Sequence, residues 1–396
     1  MSNDTVFPMR ILPDFVAFGL LTLGVLLLSP AGSVRGQDKA PVERDVAVQS
    51  LDTWLKQIHE DSDVPALGAG VFGHDGIRAL GVAGKRASGS EESVTSSDLW
   101  HLGSCTKAMT ATLLGWAHDR GILGLDATVK DVWPTGVHES FAAVTMMDLV
   151  THTAGLLPNA PPTEWAKMAA RTLPPMEMRA AVAAAVLAAE PRGKRGTFVY
   201  SNLGYMILGA ALEKRTGRTY EDLLAKEIWA PLGIKSGGFG APGSTDSLDQ
   251  PRGHVGKAKS FRAVAPGPRA DNPPSMAPAG TVHMTLSDWA LFLAAHLRGA
   301  QAKEPILAPA TWKRLHIPPT GQSYAGGFGV GERAWAKGMA LSHSGSNTMW
   351  FALVWMAPET GRGYFAVSNV AGDGRSAELD KIIGRLIKMD QEGKIP

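Results

Sequence analysis

Apolar and polar positions change period several times along the chain. Two glycine-interrupted apolar runs at 66–82 flank His74-Asp75-Gly76, and Asp-Gly between such runs predicts a β-hairpin. After Leu102-Gly103, the residues Met109, Leu113, Trp116 and Ala117 recur at helical spacing and Gly121 closes the pattern like a C-cap, which puts Ser104 at the start of a helix. Between about 129 and 234 the pattern is mostly helical: Thr145 caps a short turn at 146–150, an alanine-rich stretch follows at 176–189, and a further helix at 203–214. The Gly-, Pro- and Ser-rich stretch 237–278 has no period and reads as a long surface excursion, after which Ser287-Asp288 opens a helix at 289–297. The last segment alternates at 349–356, turns at Pro358-Glu359-Thr360-Gly361, resumes at 364–369 and closes with a helix at 377–389. Strands at both ends of the sequence with helices between them predict an α+β fold: an antiparallel sheet formed by both chain ends and flanked by helices, with an inserted, mostly helical lobe.

The N-terminus follows a different logic. Arg10 precedes an apolar run at 15–28, and Pro30-Ala31-Gly32-Ser33 then Val34-Arg35-Gly36 supply the small residues of a processing site. Residues 1–36 read as an export signal and 37–396 as the mature domain, beginning near Gln37 and working in the periplasm or as a secreted protein. The run is shorter than the ~20 apolar residues of a spanning helix, so membrane contact is expected only if this segment stays uncleaved.

Composition narrows the class. With 39 Lys+Arg against 37 Asp+Glu the charge is nearly balanced, which gives no electrostatic reason to expect nucleic acid as a partner. At 44% hydrophobic and 19% charged residues, the chain of 396 can bury a large core and is not a disordered or fibrous protein. Cys105 is the single cysteine, so neither an internal disulfide nor a cysteine metal site is available. A formal G-x-G-x-x-G at 68–73 lacks the helix that a dinucleotide site requires, and the histidines show no H-E-x-x-H spacing.

Three short motifs carry the candidate chemistry. Ser104-Cys105-Thr106-Lys107 sets a hydroxyl and an amine three residues apart, on one face of a helix. Serine is a poor nucleophile until its proton is removed, and a desolvated lysine of lowered pKa can remove it. Tyr200-Ser201-Asn202 follows a Gly/Arg-rich turn and precedes a helix; Tyr200 can shuttle a proton, and Asn202 can hold the lysine or a substrate amide. His343-Ser344-Gly345-Ser346 lies just before the alternating stretch, where Gly345 permits close backbone approach and a following N–H can face an oxyanion. Lys235-Ser236-Gly237 competes for this third role by residue type but has no strand behind it. Cys105 points to another helix face and reads as a packed thiol; His152 reads as a loop histidine satisfied by backbone.

In this order the three elements resemble the serine β-lactamase and penicillin-binding-protein superfamily, whose set is Ser-x-x-Lys, Ser-Asp-Asn and Lys-Thr-Gly. Tyr-Ser-Asn in the middle is similar to the class C branch, and the stretches LWHLGSCTK at 99–107, LVTHTAGL at 149–156, PLGI at 231–234, PAG at 278–280 and SGSNTMWFALVWMAP at 344–358 resemble family landmarks in family order. The resemblance implies a β-lactamase/transpeptidase-like fold and an acyl-enzyme mechanism without metal or cofactor. Ser104 would be the nucleophile, Lys107 and Tyr200 would share its proton, and Asn202 would orient Lys107 and the substrate. The Ser104 and Ser346 N–H groups would form the oxyanion hole, and His343 and Ser344 would flank a substrate carboxylate. The implied substrate is a small molecule or peptide, either a β-lactam, a D-alanyl peptide or a small ester; the alternative is a penicillin-binding-like sensor that acylates without turnover. Two departures bear on substrate choice. His343 stands where most β-lactamases carry lysine, and Asn347, Thr348 and Met349 replace the glycines expected after Ser346, crowding that side of the cleft.

Overall fold

A computed structural model describes residues 48–258 and 260–395. The segment read as an export signal, 1–36, lies outside the described residues. Among the described residues no helix is long and apolar enough to cross a membrane.

The predicted hairpin forms from strands Ala66–Gly73 and Gly76–Gly84, paired antiparallel. It joins the C-terminal strands Gly338–Ser346, Phe351–Ala357 and Arg362–Ser368 in one eight-stranded sheet. Arg362–Ser368 lies against Ala66–Gly73, so the two chain ends meet at the centre of the sheet. The pairing is antiparallel apart from one short parallel pair, Gln49–Ser50 with Ala79 and Leu80. Every residue of Ala66–Gly73 is buried, because both faces of this strand are covered. That explains why 68–73 resembles a nucleotide loop in sequence alone: its glycines lie inside a central strand.

Leu67, Ala69 and Val71 face the core made with the first and last helices, Asp52–Glu60 and Arg375–Gln391, through Leu51, Leu55, Leu379, Ile382, Ile383 and Leu386. Ala66 and Phe72 face the larger core, which holds Trp100, Trp289, Trp312 and Trp350 and reaches into the helical lobe. Alternation along one strand thus anchors two layers of helices to a single sheet.

The lobe forms as its caps predict. Thr145 accepts from the Asp148 backbone N–H, and Asp148 returns a bond to Thr145, a capping box that starts Met146–Val150. The alanine-rich helix spans Pro175–Ala188, and the next one Asn202–Thr216. The 237–278 stretch departs from its reading as a surface excursion. It contains strands Gly238–Phe239, Gly253–Val255 and Arg262–Val264, and it buries Asp271 beneath the site described below.

Candidate functional site

The Ser104 segment is a 3-10 turn, Gly103–Cys105, leading directly into helix Thr106–Asp119. Gly103 makes the turn possible: its φ is +50°, and a Cβ there would collide with the Ser346 backbone nitrogen. On the facing strand a Cβ at Gly345 would collide with the Leu102 carbonyl oxygen and lie 2.7 Å from the Ser104 nitrogen. Two glycines therefore let the Ser104 turn sit backbone to backbone on Gly338–Ser346. The neighbouring strand Phe328–Arg333 pairs only as far as Ser342, which leaves His343 to Ser346 with an edge unpaired on that side.

Lys107 lies one turn below, fully buried. Its Nζ is 3.1 Å from Ser104 Oγ, 2.7 Å from Asn202 Oδ1 and 2.6 Å from the Ala279 carbonyl oxygen. Burial lowers its pKa to about 7, and among the described residues no carboxylate is one of its hydrogen-bond partners. A neutral amine has two hydrogens and one lone pair. Asn202 Oδ1 and Ala279 O can only accept, so they take the two hydrogens, and the lone pair is left facing the Ser104 hydroxyl.

Tyr200 packs beside this pair, its ring centroid 4.8 Å from Lys107 Nζ. Burial raises the Tyr200 phenol above its ordinary range, against a hydrogen bond with Ser104 that acts the other way, so the phenol keeps its proton. Asn202 sits at the first position of its helix, where Ser201 caps by accepting from Gly204 N–H at 3.0 Å. Asn202 Nδ2 donates to Asn159 Oδ1 at 2.9 Å, which sets the amide so that its oxygen faces Lys107.

His152 has a more direct part than its sequence reading suggested. The backbone is left-handed at φ 61°, and Nδ1 accepts from Ser201 N–H at 3.0 Å, which fixes the middle of the Tyr200-Ser201-Asn202 triplet. Its ring packs at a tilt against Tyr200 and Tyr324, centroids 4.4 and 4.7 Å away, and burial holds its pKa well below the usual value, so it stays neutral.

His343 lies on the buried side of its strand, with Nε2 and the Tyr324 hydroxyl sharing a hydrogen bond of 3.0 Å. Burial, aided by Lys107, pushes its pKa down to about 3; the ring is neutral and brings no cation to a substrate carboxylate. Ser344 and Ser346 are half-buried on the same strand, and the Ser346 hydroxyl accepts from Thr348 N–H at 2.9 Å. The expected crowding after Ser346 takes another form: Asn347 turns inward and is buried, while Thr348 occupies a left-handed conformation at φ 76° that glycine would adopt freely. Cys105 is buried with its Sγ 3.8 Å from the His343 carbonyl oxygen, and burial pushes its thiol up to about 12.

The competing Lys235-Ser236-Gly237 element is occupied elsewhere. Both Lys235 N–H and Ser236 N–H donate to Asp288 Oδ2, at 2.8 and 2.7 Å, pinning the start of helix Leu286–Ala300. The structure thus groups Ser104, Lys107, Tyr200 and Asn202 beside the strand of His343, Ser344, Gly345 and Ser346. It adds Ala279, Asn159, His152 and Tyr324, of which Ala279, in the Pro-Ala-Gly element, and His152, in LVTHTAGL, have a local signal.

Comparisons with known proteins bear on the family and the fold. A beta-lactamase from Pseudomonas fluorescens is 26% identical over 221 residues, covering 55% of this chain and 58% of that protein. Penicillin-binding protein 4 of Amycolatopsis lactamdurans is 27% identical over 248 residues, 61% of each. The chain thus spans little more than half the length of the curated relatives it matches. The crystal structure of a class C beta lactamase from Rhodobacter sphaeroides superposes with a TM-score of 0.64 at 20% identity, covering 83% of this chain and 96% of that one, which shows a shared fold. The beta-lactamase family profile matches residues 51–387, and the chain belongs to the beta-lactamase family.

Proposed function

We propose that this protein is an exported serine acyl hydrolase that forms an acyl-enzyme on Ser104 and acts on a small ester or an amide lacking a carboxylate beside the scissile bond. The observation that carries the chemistry is the Lys107 amine, whose two hydrogens are claimed by Asn202 Oδ1 and Ala279 O while its lone pair faces Ser104 Oγ at 3.1 Å. As Oγ attacks the acyl carbon, its proton passes to Lys107 Nζ. The carbonyl oxygen becomes an oxyanion held by the Ser104 and Ser346 N–H groups, each worth about 3 kcal/mol. Collapse expels the alcohol or amine, which takes a proton from the Tyr200 phenol; Lys107 returns its proton to Tyr200. In the second half Lys107 takes a proton from water as the water attacks the acyl carbon, and collapse of the new oxyanion releases Ser104 Oγ, which regains a proton from the Tyr200 phenol while Lys107 returns its own to Tyr200.

The preference for an uncharged leaving side rests on His343, which is neutral and held by Tyr324 where a lysine would offer a cation. A D-alanyl peptide and a β-lactam both carry that carboxylate, so an ester fits better. The export reading rests on the apolar run at 15–28 with its small-residue site, and implies a periplasmic or secreted protein.

The test is to incubate the protein with an activated short-chain ester, a D-alanyl peptide and a chromogenic cephalosporin, and to weigh it intact. The expected result is an acyl adduct on Ser104 with steady turnover, fastest for the ester, and none of either in Ser104→Ala. Unchanged turnover in Ser104→Ala contradicts the proposal; a single stoichiometric burst contradicts the hydrolase part and makes the protein a sensor.

A further inference from the structure

A buried polar chain joins the two sides of the oxyanion site from behind. His101, on strand Leu99–His101, accepts the Gly103 N–H at Nδ1, at 3.1 Å. A nitrogen that accepts carries no hydrogen, so the hydrogen resides on Nε2, which donates to Asp271 Oδ2 at 2.9 Å. The second oxygen, Oδ1, accepts from Asn347 Nδ2 at 3.0 Å and from Asn272 N–H at 2.8 Å. Asn347 Oδ1 in turn accepts the N–H groups of Met349 and Trp350, both at 3.1 Å, fixing the turn that follows Ser346. The members are dry: His101 is 1% exposed, Asn347 4% and the Asp271 side chain 5%.

The chain ends fall next to the two backbone donors. Gly103 precedes Ser104, and Asn347 follows Ser346. Asp271 is itself braced: Arg171 Nη2 donates to the Pro268 carbonyl oxygen at 2.7 Å and the Asp271 carbonyl oxygen at 3.2 Å. One carboxylate in a low-dielectric site, with its lone pairs engaged by donors from both walls, resists sliding of either wall.

We infer that Asp271, with His101 and Asn347, is a set of positioning residues that holds the Ser104 and Ser346 N–H groups at the spacing the oxyanion requires. The inference rests on the acyl-enzyme reading above. Donor spacing matters because a preorganised donor stabilises charge only where it develops, and supporting residues outside the reacting shell typically change rates by about 10–100-fold.

The experiment uses an ester and its thionoester analogue, in which sulfur, larger and a weaker acceptor, replaces the oxygen that enters the hole. Burst acylation rates are measured for the full chain, Asn347→Ala and Asp271→Asn, with Ser104→Ala as the control for the acyl-enzyme reading. For both strut variants the acylation rate on the oxo ester is expected to fall by about 10–100-fold, with KM moving little and the oxo-to-thiono rate ratio compressed by about tenfold. A general loss of folded protein lowers both rates together and leaves the ratio alone. His101→Gln, which keeps a donor for Asp271, is expected to retain more of the ratio than His101→Ala. Adduct formation on Ser104 with a wild-type ratio in Asn347→Ala overturns the inference while leaving the acyl-enzyme reading intact; should Asp271→Asn fail to fold, Asn347→Ala decides alone. Turnover surviving in Ser104→Ala removes the basis of both.

Discussion

Lys107 makes its shortest hydrogen bond to the carbonyl oxygen of Ala279, 2.6 Å away, and a longer one of 3.1 Å to Ser104. The order matters chemically. A lysine held mainly by a substrate-free backbone acceptor keeps its orientation through the reaction, whatever the state of the serine. Replacing Lys107 by Met removes the base and leaves Ser104 hydrogen-bonded to a neutral phenol alone. Acylation is expected to fall by about 10²–10⁴-fold, read as the burst rate with an activated ester.

Asn202 offers a sharper probe of the same site, because it touches Lys107 through its oxygen at 2.7 Å. Asn202→Asp puts a negative charge there, which favours the ammonium form and raises the lysine pKa. The acid limb of the rate profile is expected to move to higher pH by about one unit, with lost activity partly recovered in alkaline buffer. An unmoved limb would mean that Lys107 is not the titrating group.

His152→Phe keeps a ring against Tyr200 but removes the acceptor for Ser201 N–H. A buried donor left without a partner costs about 1–3 kcal/mol, so the melting temperature drops. Because the loosened residue lies between Tyr200 and Asn202, acylation is expected to fall more than stability alone explains. Comparing activity well below the melting temperature with that of the wild type measures the difference.

Stability of the lobe depends on a different buried network. Arg179 Nε donates to Glu213 at 3.0 Å and Nη2 to Glu221 at 2.8 Å, and the arginine side chain is fully buried. Glu213 also accepts the Tyr220 N–H at 2.9 Å. Glu213→Ala leaves a guanidinium without its innermost partner, and a loss of about 3–5 kcal/mol is expected in denaturant unfolding.

His343→Lys tests substrate choice. A lysine there supplies the cation that the neutral imidazole withholds. The rate for a carboxylate-bearing cephalosporin relative to an uncharged ester is expected to rise by about tenfold, equivalent to ~1.4 kcal/mol. An unchanged ratio would show that the carboxylate is recognised elsewhere or not at all.

Much of this site was legible in the sequence because its chemistry is local. Ser104 and Lys107 share one helical turn, and Tyr200 with Asn202 shares one loop, so spacing alone brings each pair together. The strand beside the site was legible from the alternation that follows it, although the motif lies inside a strand, Gly338–Ser346, and not before one. What stayed hidden depends on distant partners. Asp271 sits in an aperiodic, Gly- and Pro-rich stretch that resembles solvent-exposed loop, and nothing nearby signals that two walls of the site converge on its carboxylate. Ser236 matches the strand motif by residue type, and only its contact with Asp288, 52 residues away, shows that it ties down the start of a helix. The sequence reads His152 as satisfied by backbone; Nδ1 accepts from Ser201 N–H, a tertiary partner 49 residues away, while Nε2 is buried with no hydrogen-bond partner among the described residues.

The central claim is that an uncharged Lys107 removes the Ser104 proton, and the most direct measurement is the acylation rate as a function of pH. With the lysine pKa lowered to about 7, the protonated and inactive form dominates below that value. The rate is expected to rise tenfold per pH unit up to about 7 and then level off. A rate that is flat between pH 5 and 8, or that climbs only near the ordinary lysine range, would contradict the account.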